Sequence, residues 1–125
     1  MTQYSSILGT GSCLPERVVS NEELVKFLAK RGVESSAEWI ETRTGIQQRH
    51  FAGPLESTSF LAAQAANKAL ESAGVIPSEV TLIVVATSTS DQIFPSTACA
   101  VQSILQAKNA AAFDVQAVCS GFVYA

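Results

Sequence analysis

Apolar residues recur at helical spacing in four segments of the chain. This spacing predicts helices from about Asn21 to Lys30, from Ser36 to Gly45, from Ser57 or Thr58 to Gly74, and from Ser96 to about Gln106. Serine is a favourable residue just before a helix, and glycine often ends one, which supports these bounds. The many alanines of the third segment indicate close packing against a neighbouring element.

Other apolar residues form continuous runs that predict strands. Leu82–Ala86 (LIVVA) and Ala110–Val115 (AAAFDV) are typical of strands covered on both faces, as in a parallel sheet. We also predict a first strand over Tyr4–Gly11 and an irregular strand over Ile46–Phe51. A turn follows at Gln116–Val118, and a last helix is expected from Cys119 onward. This alternation of strands and helices predicts an α/β fold with a mainly parallel sheet.

Length and composition narrow the class of protein. A chain of 125 residues suggests one domain, residues 1–125. Charged residues make up 15% of it, below the typical share of about 25%, so we expect much of its surface to lie inside a larger body. The sequence has no cluster of Lys or Arg residues, so we expect no nucleic-acid partner. No segment is long and apolar enough for a membrane span, and the first residues do not have the pattern of a signal peptide. We therefore expect a cytoplasmic protein.

The three cysteines differ in their surroundings. Their odd number and irregular spacing argue against a disulfide framework and against a zinc site. Cys13 and Cys99 are expected to be structural, but Cys119 lies where a predicted buried strand ends and a helix begins. Helix N-termini favour thiolates, Ser120 and Gly121 permit a sharp turn, and α/β folds bind ligands at this end of their strands. Cys119 is therefore a candidate nucleophile, with a small buried apolar side chain as the alternative.

Four segments resemble β-ketoacyl-[acyl-carrier-protein] synthase III, a thiolase-fold condensing enzyme. They are ILGTGSCLPERVVSNEEL near the start, EWIETRTGIQQRH from Glu38, LIVVATSTSDQIFPSTACAVQ from Leu82, and DVQAVCSGFVYA from Asp114. They occur in the family's order and cover nearly the whole chain. The resemblance implies the N-terminal half of a thiolase-like, layered αβαβα fold, which a similar second half would complete.

The resemblance also implies an activity. Family members start type II fatty acid synthesis by taking an acyl group, usually acetyl, from coenzyme A onto the cysteine. They condense it with malonyl-acyl-carrier protein, release carbon dioxide and give a 3-oxoacyl product. The coenzyme A thioester is a substrate, so no cofactor is expected, and the family implies a homodimer. A related thiolase-fold ketosynthase of secondary metabolism, of the alkylquinolone or polyketide type, is the alternative.

Individual residues carry over from the family by position. Cys119 matches the nucleophile, and its backbone N–H matches half of an oxyanion hole. Trp39 and Arg43 match positions that contact the coenzyme A nucleotide, where an indole can stack on adenine and a guanidinium suits a phosphate or a base edge. Phe94 matches a residue that reaches across the dimer into the partner's acyl pocket. From the residues alone, three alternatives stay open: a core residue for Trp39, a surface ion pair for Arg43 and a loop anchor for Phe94.

The chain departs from the family in two places. Lys30–Ser35 (KRGVES) is longer than the usual connection before Trp39. The family's catalytic histidine and asparagine lie in the second half of its proteins, and the one histidine here, His50, is expected to be structural. We therefore expect a chain cut just after the nucleophile, in which residues 1–125 alone do not catalyse condensation.

Overall fold

The computed structural model describes residues 4–125, which form two compact units. Residues 14–54 form the first, called here the small unit. Residues 4–13 and 55–125 form the second, called here the sheet unit. Each unit contains one two-stranded sheet. No helix within residues 4–125 is long and apolar enough to cross a membrane.

The small unit contains two strands and two helices. In chain order these are β1 (Arg17–Ser20), α1 (Asn21–Ala29), α2 (Ala37–Thr44) and β2 (Gln48–Phe51). The two strands are antiparallel, with Arg17 opposite Phe51. The hydroxyls of Ser20 and Ser36 accept hydrogen bonds from the first turns of α1 and α2, as expected from the sequence. We did not predict β1, because it has four residues and its partner lies 30 positions further on.

Asn21 holds the small unit together through a buried hydrogen-bond network. Its side chain is 4% exposed. The amide nitrogen donates to the Ile46 carbonyl at 2.8 Å, and the amide oxygen accepts from the Arg49 guanidinium at 2.7 Å. Arg49 also donates to the Val19 carbonyl at 3.3 Å. The network joins the start of α1 to the segment after α2 and leaves no side-chain polar atom of Asn21 without a partner.

The sheet unit contains a β–α–β arrangement, with one helix before it and one helix after it in the chain. Its elements are α3 (Thr58–Ala73), β3 (Leu82–Ala86), α4 (Thr97–Leu105), β4 (Ala111–Val115) and α5 (Gly121–Tyr124). β3 and β4 pair in parallel, with Leu82 opposite Ala111 and Ala86 opposite Val115, which confirms the predicted parallel sheet. Small and medium apolar residues form the core: Ala63, Val101, Leu105, Ala107 and Ala110.

The predicted strand over Tyr4–Gly11 joins neither sheet among the described residues. Its backbone lies against α3 instead. A Cβ atom at Gly9 would come within 2.6 Å of the Ala69 carbonyl oxygen, and one at Gly11 within 2.5 Å of the Ala69 nitrogen. Only glycine allows such an approach, because these distances are far below van der Waals contact. This packing explains the alanine-rich surface of α3.

Candidate active site

Cys119 lies just beyond the carboxyl end of β4. A single tight turn, Val118–Ser120, leads from the strand into α5, and the thiol of Cys119 is exposed. The predicted helix therefore begins two residues later than expected, at Gly121. Gly121 is buried, and a Cβ atom there would lie 3.1 Å from the Cβ of Ala86. The small size of both residues lets α5 begin directly against the end of β3.

Val118, the residue before Cys119, has a left-handed backbone conformation with φ of 48°. This conformation is rare for a β-branched residue and costs about 1–2 kcal/mol. The strain is confined to the turn that exposes the neighbouring thiol. Strained backbone of this kind is characteristic of functional sites. The sequence predicted a turn here but not its handedness, because valine itself disfavours this region.

The turn also leaves one backbone donor beside the thiol. Within residues 4–125 no hydrogen bond occupies the N–H of Cys119, whereas the N–H of Ser120 donates to the Ala117 carbonyl at 3.0 Å. Exposure and the free N–H are therefore the features that suit Cys119 to attack a carbonyl group and to stabilise the resulting oxyanion. The exposed thiol does not fit the alternative of a small buried apolar side chain.

The other two cysteines and His50 lie in structural surroundings. Cys99 is half-buried in the first turn of α4, with its sulfur 3.2 Å from the Ser96 hydroxyl oxygen and 3.8 Å from the Ala112 carbonyl oxygen. Cys13 is also half-buried. In the small unit, Nδ1 of His50 lies 2.6 Å from the Pro15 carbonyl oxygen and links β2 to the residues before β1.

Trp39 protrudes from α2 in the small unit. Its side chain is 58% exposed, whereas that of Ile40 is 8% exposed. The two side chains therefore lie on different faces of α2, since consecutive helical residues point in different directions. A groove of about 370 Å³, which Glu34, Ser35 and Ser36 also line, borders the indole. Trp39 therefore does not fit the alternative of a core residue.

Arg43 follows Trp39 by one helical turn, which places the two side chains on the same face of α2. Both line a second groove of about 350 Å³, with Ser36, Glu38 and Thr42. Within residues 4–125 Arg43 forms no ion pair; the salt bridge of this unit joins Arg17 to Glu23. The alternative of a surface ion pair therefore does not describe Arg43. The indole and the guanidinium therefore border a common groove.

Phe94 lies in the loop between β3 and α4 of the sheet unit, residues 87–96, here called the Phe94 loop. Its side chain is 86% exposed, and that of Ile93 is 99% exposed. A loop anchor would be buried, so this alternative does not fit Phe94. The anchor is Asp91, whose carboxylate accepts hydrogen bonds from the backbone at the start of α3. This contact was not predictable from the sequence, because the partners lie more than 30 residues apart.

A second carboxylate fixes the end of the Phe94 loop. Asp114 in β4 accepts hydrogen bonds from the N–H groups of Thr97 at 2.8 Å and Ala98 at 2.7 Å. These are the first two residues of α4, where backbone N–H groups lack partners within the helix. Asp114 thereby joins the start of α4 to the strand that leads to Cys119.

Known proteins are similar to this chain in sequence and in structure. The chain is 64% identical over 122 residues to β-ketoacyl-[acyl-carrier-protein] synthase III of Bordetella petrii, a match that covers 98% of this chain and 37% of the relative. The solved 3-oxoacyl-[acyl-carrier-protein] synthase III of Aquifex aeolicus VF5 is 48% identical with a TM-score of 0.85, over 95% of this chain and 37% of that one. No protein-family model matches the chain.

A ketosynthase of a different pathway is also similar. The priming β-ketosynthase of the R1128 polyketide biosynthetic pathway is 42% identical with a TM-score of 0.87, over 94% of this chain and 34% of that one. The chain thus spans little more than a third of the length of these relatives, and it matches the N-terminal part of the curated one. By sequence and by its thiolase fold, the chain matches the N-terminal part of the β-ketoacyl-[acyl-carrier-protein] synthase III condensing enzymes.

Proposed function

We propose that the full-length protein is an acyltransferase that starts type II fatty acid synthesis in the cytoplasm. It transfers an acyl group, in this proposal acetyl, from coenzyme A to Cys119 and condenses it with malonyl-acyl-carrier protein. The products are 3-oxoacyl-acyl-carrier protein, carbon dioxide and coenzyme A. The exposed Cys119 at the carboxyl end of a parallel sheet, in a chain 64% identical to a synthase III, is the observation that carries this proposal.

In the acylation step, the thiolate of Cys119 attacks the thioester carbonyl of acyl-coenzyme A. The bond to the coenzyme A sulfur breaks, and that sulfur takes the proton that the cysteine lost. One thioester replaces another, so the step is close to neutral in free energy and needs no cofactor. The N–H of Cys119 donates to the oxyanion of the tetrahedral intermediate, and a single donor of this kind contributes about 100- to 1000-fold in rate.

The small unit holds the nucleotide part of coenzyme A in this proposal. The exposed indole of Trp39 stacks on adenine, and such stacking contributes about 1–3 kcal/mol per base. Arg43, on the same face of α2 and without an ion-pair partner in residues 4–125, contacts a phosphate or the base edge. Both side chains line the same groove, which supports a joint role.

In the condensation step, malonyl-acyl-carrier protein loses carbon dioxide, and the enolate formed attacks the acyl thioester. The Cys119 thiolate leaves, and the new carbon–carbon bond completes the 3-oxoacyl product. We do not assign enolate stabilisation to His50, because its Nδ1 is engaged with the Pro15 carbonyl in the small unit. In the family this task belongs to a histidine and an asparagine in the part of the relatives that the chain does not span. The protein acts as a homodimer, in which Phe94 shapes the acyl pocket of the partner subunit.

Priming of a polyketide pathway is the second candidate function. It is favoured by the R1128 ketosynthase, whose TM-score of 0.87 slightly exceeds that of the Aquifex enzyme, 0.85. The acylation chemistry at Cys119 is the same for both. Turnover with a panel of acyl-coenzyme A thioesters and malonyl carriers distinguishes them, since a polyketide priming enzyme would prefer its own carrier protein.

The central experiment incubates the full-length protein with radiolabelled acetyl-coenzyme A. We expect wild-type protein and the Cys99→Ser control to become labelled, and Cys119→Ser to remain unlabelled, because among the cysteines of residues 4–125 only Cys119 is exposed. Peptide mass spectrometry locates the acetyl group. Labelling of Cys119→Ser at the wild-type rate would contradict the proposal.

A further inference from the structure

The Phe94 loop is held at its middle by contacts to a distant part of the chain. The carboxylate of Asp91 accepts hydrogen bonds from the N–H groups of Thr58 at 2.7 Å and Ser59 at 3.1 Å. The hydroxyl of Thr58 donates in turn to the Thr89 carbonyl at 2.6 Å. The partners lie 31–33 residues earlier, at the start of α3. The position of the loop is therefore set by α3 rather than by its neighbours in sequence.

The start of α3 is well suited to a carboxylate. The first N–H groups of a helix lack intrahelical partners, and the helix dipole is positive at that end. The Ser57 hydroxyl accepts the N–H of Phe60, which leaves the N–H groups of the first two residues to Asp91. The Ser59 hydroxyl and the N–H groups of Ser59 and Thr58 lower the pKa of the Asp91 carboxyl below its ordinary 3.8. Asp91 is therefore ionised at neutral pH, and its hydrogen bonds are charge-assisted.

Phe94 has no comparable anchor of its own. It is 86% exposed, and its neighbour Ile93 is 99% exposed. Phe94 lies three positions after Asp91, a stretch that spans at most about 10 Å. On the other side, Asp114 fixes the start of α4 only three residues after Phe94. The two carboxylates therefore confine the aromatic ring to a small region of space.

We propose that Asp91 is a positioning residue for Phe94 and thereby determines acyl-chain specificity. The inference rests on the proposed function, in which Phe94 shapes the acyl pocket of the partner subunit. With the anchor intact, the ring forms a fixed wall that admits short acyl groups. Without the Asp91 anchor, the loop moves away from α3 and the Phe94 ring no longer blocks the pocket. Discrimination against longer acyl groups therefore falls.

The test compares four variants of the full-length protein: Phe94→Ala, Asp91→Ala, Asp91→Asn and Ser20→Ala. The quantity measured is the ratio of kcat/KM for hexanoyl-coenzyme A to that for acetyl-coenzyme A. We expect Phe94→Ala and Asp91→Ala to raise this ratio about 10-fold, the scale by which a hydrophobic pocket distinguishes a methylene group. Asp91→Asn should give a smaller rise, because the amide oxygen still accepts a hydrogen bond. Ser20→Ala removes a helix cap in the small unit and should leave the ratio unchanged.

A second measurement follows amide hydrogen exchange in residues 87–95. Exchange should be faster in Asp91→Ala and unchanged in Ser20→Ala. Unchanged exchange in Asp91→Ala overturns the inference, whether or not activity is detected. If Asp91→Ala does not fold, the ratio and exchange of Asp91→Asn decide instead.

The activity outcomes separate the two proposals. If Phe94→Ala shifts the ratio and neither Asp91 variant does, Asp91 does not position the ring, and the proposed function stands. If Phe94→Ala leaves the ratio unchanged, the pocket role of Phe94 fails, and the specificity role of Asp91 fails with it. A parallel rise in the Phe94 and Asp91 variants, with partial rescue by Asp91→Asn, supports the inference.

Discussion

Charged side chains are concentrated in the small unit. Residues 14–54 carry six of the chain's eight Lys and Arg residues and six of its eleven Asp and Glu residues. Their buried centre includes a polar side chain, Asn21, beside Val19 and Ile40. The sheet unit has few charges, and alanine, valine and leucine form its core. Its glycines at 9 and 11 let the backbone lie directly against α3.

The two units therefore support their candidate residues by different means. Trp39 and Arg43 project from a helix whose unit is stabilised by hydrogen bonds between side chains and backbone. Cys119 is placed by tight packing, where two small residues let α5 meet β3 and a strained Val118 turns the chain. We expect steric substitutions to damage the sheet unit most, and loss of polar groups to damage the small unit most.

The largest expected effect is that of Gly11→Val in the sheet unit. A side chain here meets the backbone of α3, so we expect a loss of about 3 kcal/mol in the free energy of unfolding, the upper range for overpacking. The control is Gly32→Ala in the small unit, where φ is 75° and no atom lies within 4 Å of the added Cβ. Its cost should be about 1 kcal/mol, from backbone conformation alone. If urea unfolding gives the same loss of unfolding free energy for Gly11→Val and Gly32→Ala, steric contact with α3 is not the cause.

The next effect is that of Asn21→Ala in the small unit. The change leaves the Ile46 carbonyl and part of the Arg49 guanidinium without their buried partner, which should cost about 2 kcal/mol. Gln47→Ala is the matched control, because its amide makes only an exposed hydrogen bond to Glu41. We expect that control to change stability by less than about 0.5 kcal/mol. Similar urea midpoints for the two variants would count against a polar centre in this unit.

Local chemistry explains which parts of the fold were predictable. The helix starts at Ser20, Ser57 and Ser96 follow from a side-chain oxygen that caps the next turn, which needs no distant partner. The strands β3 and β4 follow from continuous apolar runs. The short strand β1 depends on pairing with β2. The predicted first strand depends on a partner strand, and its glycines pack on a helix instead.

The sequence likewise predicted some features of the candidate site and missed others. The family motifs located Cys119, Trp39, Arg43 and Phe94, whereas the structure showed their exposure. Asp91 was missed as an anchor, since its role arises only when α3 and the Phe94 loop come together. The left-handed turn at Val118 was missed because it opposes the preference of the residue itself.

A smaller effect is expected for ligand binding by the small unit. Trp39→Ala should raise KM for acyl-coenzyme A about 10-fold with little change in kcat, through loss of stacking on adenine. Trp39→Phe should retain part of the affinity. The control is Phe27→Ala on α1, another partly exposed aromatic residue, whose ring lies 4.1 Å from the Arg31 guanidinium. If Phe27→Ala raises KM as much as Trp39→Ala, the effect is a general property of the unit and not of the indole.

The smallest effect is a pH dependence of stability that both units share. The pKa of Asp91 in the sheet unit is lowered mainly by Ser59, and that of Glu22 in the small unit mainly by the Ser20 hydroxyl. Folding favours each ionised form, so its contribution is present above the unfolded pKa and is lost as the pH falls through the folded pKa. Asp91→Asn and Glu22→Gln should therefore differ from wild type near neutrality and approach it below about pH 4. A gap in urea midpoint that stays constant from neutral to acid pH would contradict this assignment.

The contact between Gly121 and Ala86 has a consequence for how related sequences vary. A Cβ atom at position 121 would meet the Ala86 Cβ at 3.1 Å, but it would lie 3.9 Å from the Ala86 Cα. Exchanging the two residues, to alanine at 121 and glycine at 86, therefore restores ordinary contact, whereas alanine at 121 alone does not. Across an alignment, positions 86 and 121 should covary as a pair, and position 121 lies two residues after the candidate nucleophile, Cys119.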